Sequence, residues 1–158
     1  MAEEITLRKR LMTDVLEKIQ SLDFVFGPPA VSVLVEYEQD VFAKMTRALT
    51  QKLGDQGAGM CIVVSARYRV SDQRVLTMRL LIQVQENTTL NRSTRGTGLD
   101  AGDVALELLI QLSGWAPTYC SRFVAPERGE QLSLIANEPG LLAYEVIFET
   151  STQLPDPS

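Results

Sequence analysis

No histidine occurs among the 158 residues of this chain. The commonest general base and the commonest metal-binding side chain are therefore missing. Neither a Ser-His-Asp nor a Cys-His nucleophile can be assembled. Cysteine is scarce as well, with only Cys61 and Cys120. Neither belongs to a CxxC pair, and both read as structural thiols. Cys61 falls in the apolar run Met60-Cys61-Ile62-Val63-Val64, which suits a buried, inert sulfur. Long apolar runs are absent too: no stretch approaches the roughly 20 residues that a spanning helix needs. The opening MAEEITLRKRLMTD is charged throughout and holds no apolar core, so no secretory signal is expected there. Basic charge is short in one half. Residues 1–79 hold 11 basic and 10 acidic side chains, whereas residues 80–158 hold 4 and 10, and no Lys or Arg follows Arg128. With a net charge of -5, the chain lacks the basic surplus of a general duplex-DNA binder.

What is present suits one globular domain. Apolar residues make up 45% and charged residues 22%, enough for a single core in a chain of this length. Leu7, Leu11, Val15 and Ile19 recur every four residues and predict a helix over 3–21, ended by Ser21-Leu22-Asp23, with Gly27-Pro28-Pro29 forbidding continuation. The segment VSVLVE (31–36) alternates and predicts a strand. Val41, Met45, Leu49 and Leu53 predict a second helix over 38–53, ended near Gly54 and Gly57. Residues 59–70 and 75–86 predict a hairpin around Ser71-Asp72-Gln73-Arg74. Matching their apolar faces sets Tyr68 opposite Met78 and Arg67 opposite Arg79. The polar stretch 86–99 reads as an exposed loop. A third helix follows from Asp100, its N-cap, to Gly114, with Trp115 against the core. Thr118–Val124, Gln131–Ala136 and Leu141–Thr150 read as three further strands, with a turn at Asn137-Glu138-Pro139-Gly140.

The order α-β-α-β-β-α-β-β-β predicts an α/β (α+β) fold. It is a two-layer sandwich with a mostly antiparallel central sheet, about three helices and one parallel crossover. Residues 1–150 form the domain, and 151–158 form a Pro-rich tail.

Candidate chemistry is thin. Glu36, Glu38 and Asp40 could hold a divalent cation, but they fit a strand-to-helix junction better. The loop Arg92-Ser93-Thr94-Arg95-Gly96-Thr97-Gly98 opens a helix, yet it is neither a Walker A loop nor a dinucleotide fingerprint. It reads as a flexible segment that contacts a partner. All four lysines (Lys9, Lys18, Lys44, Lys52) lie on predicted helix faces. No enzyme activity, cofactor or metal is therefore expected. The charged residues that stand out are Arg67, Arg69 and Arg79 on one sheet face, and Glu145 and Glu149 on the outward side of the last strand. They pair either within one subunit or across a subunit boundary. Together with Arg92 and Arg95 they form the candidate interface set.

One stretch has a familiar look. Residues 84–115 carry Glu86-Asn87, Asn91-Arg92, Gly96-Thr97-Gly98 and Leu112-Ser113-Gly114-Trp115. This layout resembles small proteins of tailed bacteriophages, in which a strand enters an E-N-x-x-x-N-R loop, followed by a Gly-rich turn and a helix ending in L-x-G-W. The closing strand 141–150 is also similar. The resemblance points to the tail-terminator or tail-completion proteins, of the kind called Mu-like minor tail proteins. It implies an α/β sandwich and a homo-oligomeric, hexameric ring at the head-proximal end of the tail. Such a ring ends tube growth, contacts the tube, the sheath where there is one, and the head connector, and meets DNA only as it passes the lumen. It also implies a place in the virion, with assembly in the host cytoplasm, no membrane contact and no cofactor. Two other readings stand beside it: a head–tail joining adaptor, and a small nucleotide- or metal-dependent enzyme.

Overall fold

The computed structural model describes residues 7–22, 32–35, 40–50, 59–88 and 100–155. These residues form α1 (Leu7–Gln20), β1 (Ser32–Val35), α2 (Val41–Thr50), β2 (Met60–Val70), β3 (Val75–Asn87), α3 (Ala101–Leu112), β4 (Leu132–Glu138) and β5 (Leu141–Gln153). The strands make one sheet in the order β1-β2-β3-β5-β4. β1 lies parallel to β2, and every other pairing is antiparallel. The mostly antiparallel α+β sandwich with one parallel crossover is thus the fold observed.

Alternation decides the faces. Met60, Ile62 and Val64 of β2, Met78, Leu80, Ile82 and Val84 of β3, and Val146 and Phe148 of β5 point to one side and are almost wholly buried. Leu11, Met12, Val15 and Ile19 of α1, and Ala101, Val104, Ala105, Leu108 and Leu112 of α3, cover them. A one-residue slip of the hairpin would turn Arg67 and Arg79 into this core. The observed register sets Tyr68 against Met78 and Arg67 against Arg79, as the alternation requires.

Helix α3 starts where expected. Asp100 accepts the Asp103 N–H at 2.8 Å, and Asp103 accepts the Asp100 N–H at 3.1 Å, which is a reciprocal capping box. After Leu112 the chain leaves the helix through Gly114, at φ +78°. The last turn of α2 is tied to the opposite side of the sheet: Asn87, of outward parity, donates from Nδ2 to the Leu49 carbonyl at 2.8 Å.

Three sequence expectations are corrected. Thr118–Val124 is not a strand. Residues 118–119 form a turn in which Tyr119 takes φ +63°, so an extended run is broken at its second residue. The segment still uses the edge of β5 left free beyond β4. The Ser121 N–H donates to the Ser151 carbonyl at 2.8 Å, and Val124 exchanges two backbone bonds with Glu149. The strand predicted at Gln131–Ala136 runs from Leu132 to Glu138, with a bulge between Leu134 and Ala136. The last strand does not stop at Thr150, so the tail does not begin at 151. Ser151–Gln153 pair with Val75–Thr77, and the Arg74 guanidinium donates to the Pro155 carbonyl at 2.6 Å. These backbone partners hold the polar Ser-Thr-Gln segment in the sheet without hydrophobic patterning of its own. The outer parts of the predicted helices 3–21 and 38–53 and of strand 31–36 lie outside the described residues, as do Glu36, Glu38 and the loop residues Arg92 and Arg95.

The two thiols differ in access. Cys61 is buried, and burial pushes its pKa up to about 12. Cys120 is half-buried. Burial and then the Asp14 carboxylate raise its pKa, while a hydrogen bond with Thr150 works the other way. At pH 8 a thiol reagent should therefore label the native chain slowly at Cys120 and leave Cys61 untouched. Both should react at once in denaturant. Fast native labelling of Cys61, read by mass spectrometry, would contradict the packing described.

Candidate functional site

The side of the sheet opposite α1 and α3 carries the charged residues. Along β2 the outward positions change from Cys61 and Val63 to Ser65, Arg67 and Arg69. Along β3 they are Thr77, Arg79, Leu81 and Gln83, and along β5 Glu145, Ile147 and Glu149. Strand order makes these neighbours: Arg79 lies between Arg67 on one side and Glu149 on the other.

Glu149 is the centre of the cluster. Its carboxylate lies 3.5 Å from Arg79 Nε and 4.0 Å from Arg69 Nη2, and its side chain is only 15% exposed. Its backbone is fixed on both edges, by Arg79 of β3 and by Val124. The Arg69 side chain is 71% exposed, so its long contact contributes little to stability. Arg79 is the better-held partner and also donates to the Arg128 carbonyl at 3.3 Å. Glu145 pairs with no arginine among the described residues; it accepts from Gln83 Nε2 at 3.1 Å. Within one chain, Glu149 thus lies in ion-pair range of both Arg69 and Arg79. Arg67 has no ion-pair partner among the described residues, although it sits directly opposite Arg79, where like charges repel.

Two shallow clefts open on this face, each of about 430 Å³. Arg67 and Arg79 line both, so the two form one trough. The first adds Arg69, Tyr68, Thr77 and Glu149 from the sheet, with Glu127 and Arg128 from the loop before β4. The second adds Ser65, Leu81, Gln83, Glu145 and Ile147. Four arginines and two glutamates thus line the first cleft. Glu127 and Arg128 are the site residues that sequence reasoning missed. They follow Pro126 in an irregular segment, and nothing local in the sequence aims them at the hairpin.

A second omission is Glu86. It continues the inward parity of Met78, Leu80, Ile82 and Val84 and is fully buried. Its Oε1 accepts the Ala101 N–H at 2.8 Å in the first turn of α3, where the helix dipole favours an acid. An acid on the buried side of an alternating strand is the signal that could have found it.

Among the described residues no group of three or more potential metal ligands comes together, and no helix is long and apolar enough to cross a membrane. No protein-family model matches this chain, and no curated protein matches it in sequence.

Proposed function

We propose that this chain is a structural protein of a phage or phage-like tail. It assembles into a ring, hexameric as in the family it resembles, at the head-proximal end of the tail tube. There it ends tube growth and offers the head connector a docking surface. It acts by shape and self-contact, as a virion component without enzyme activity.

The observation that carries the reading is the residue pattern of 84–115, from Glu86-Asn87 to Gly114-Trp115. The fold gives that pattern a physical rationale. Glu86 anchors the start of α3, and Asn87 anchors the end of α2, so the first two motif residues join one strand to two helices. An open, charged sheet face beside this frame supports a role in contact rather than in chemistry. The net charge of -5 suits a lumen through which DNA must pass without sticking.

Negative-stain images of the purified chain test the proposal. Rings with a central hole are the expected result. Fields without any rotationally symmetric particle, in a preparation that is folded and concentrated, contradict it.

A further inference from the structure

The trough over Arg67 and Arg79 is lined by more arginines than carboxylates. Glu149 is already shared between Arg69 and Arg79. Arg67 and Arg128 both line the first cleft, beside Glu127, and neither has an ion-pair partner among the described residues. The floor of the second cleft carries Leu81 and Ile147 beside the same arginines. The site therefore asks for a segment with acids flanking apolar side chains.

This chain displays such a segment. β4 is an edge strand of the sheet, with Leu134 51% and Ile135 44% exposed. Exposed Glu130 and Glu138 bracket it, and no basic residue follows Arg128 to offset them. An open edge with exposed apolar side chains is a ready surface for another chain. We propose that the β4 edge of a second copy, with Glu130 and Glu138, seats on the Arg67–Arg128 trough. The two surfaces are different patches of one chain, so the contact is head-to-tail, the type that closes into rings. The inference rests on the self-assembly proposed above and names its contact. Nucleic acid is the less suited occupant, because a chain of net charge -5 repels a polyanion.

Two double variants test it: Arg67→Glu with Arg128→Glu, and Glu130→Arg with Glu138→Arg. Circular dichroism melts establish that each is folded, and light scattering reads the mass. Each variant alone should lose assembly, and an equimolar mixture should regain it, because the reversed trough then meets the reversed strand. Wild-type-like assembly by the first variant would overturn this contact while leaving self-assembly intact. A wild-type chain that never assembles would remove both. Should the two variants fail singly but also fail when mixed, the assigned pairing is wrong. Retention of a short single-stranded oligonucleotide by the wild type, lost in the first variant, would also overturn it and give the trough to nucleic acid.

Discussion

Phe148→Ala is expected to lower the free energy of unfolding by about 4 kcal/mol, the cost typical of a large aromatic removed from a packed core. Phe148 is fully buried on β5, opposite Leu80 of β3. Its ring stacks on Phe123 with centroids 5.2 Å apart, and Phe123 meets Trp115 edge-on at the same distance. The Lys18 ammonium lies 6.0 Å from the Trp115 ring centre. One side chain thus supports a column running from β5 to α1. That column also holds the irregular segment 115–124, whose backbone is fastened to β5 at Tyr119, Ser121 and Val124. For a domain of this size the loss corresponds to a fall in Tm of roughly 12 °C. Phe148→Leu fills most of the volume and should cost only about 1 kcal/mol. Urea unfolding monitored by Trp115 fluorescence measures both. A cost for Phe148→Ala below that of Phe148→Leu would show that the column does not bear on stability.

Glu86→Ala should be the second most damaging change, at about 3 kcal/mol. It leaves the Ala101 N–H buried with no acceptor, because Glu86 Oε1 is its partner at 2.8 Å and the site is closed to water. It also leaves a void between β3 and the first turn of α3. Glu86→Gln keeps an acceptor oxygen of the same reach and should cost about half as much. The order Ala worse than Gln is the informative result, since a purely volume-based role would make Gln neutral. Hydrogen exchange gives a local readout. Amides in the first turn of α3 should lose protection in Glu86→Ala before those of β2 and β3 do. Equal loss everywhere would contradict an anchoring role for Glu86.

The hairpin register was legible because its alternation is strict. One face of 60–70 and 75–87 is apolar at almost every second position, and the other carries Arg67, Arg69 and Arg79, so a single pairing buries carbon and exposes charge. Helix α3 was legible through Asp100 and Asp103, a signal complete within four residues. Thr118–Val124 misled because apolar content was read without its turn: a non-glycine residue at positive φ, Tyr119, has no signature in sequence. The extension of β5 through Ser151–Gln153 was hidden for the opposite reason. Its stability comes from the neighbouring strand and from Arg74, not from its own side chains.

The candidate site was half legible. Parity placed Arg67, Arg69 and Arg79 on one face and Glu145 and Glu149 on the outward side of β5. Which acid answers which base depends on β5 lying next to β3, a long-range fact. Glu149 falls beside Arg79, while Glu145 falls beside Gln83 and is bound there. Glu127 and Arg128 reach the cleft through a loop whose path only tertiary structure sets. Arg92 and Arg95, the remaining members of the expected interface set, lie outside the described residues.

Self-contact between copies of this chain is the central requirement of the proposed function. Light scattering on the purified protein over a range of concentrations measures that directly. The mass should climb from 17.5 kDa to a plateau near six times that value. A folded protein that holds the mass of a single chain across the whole range would contradict the account.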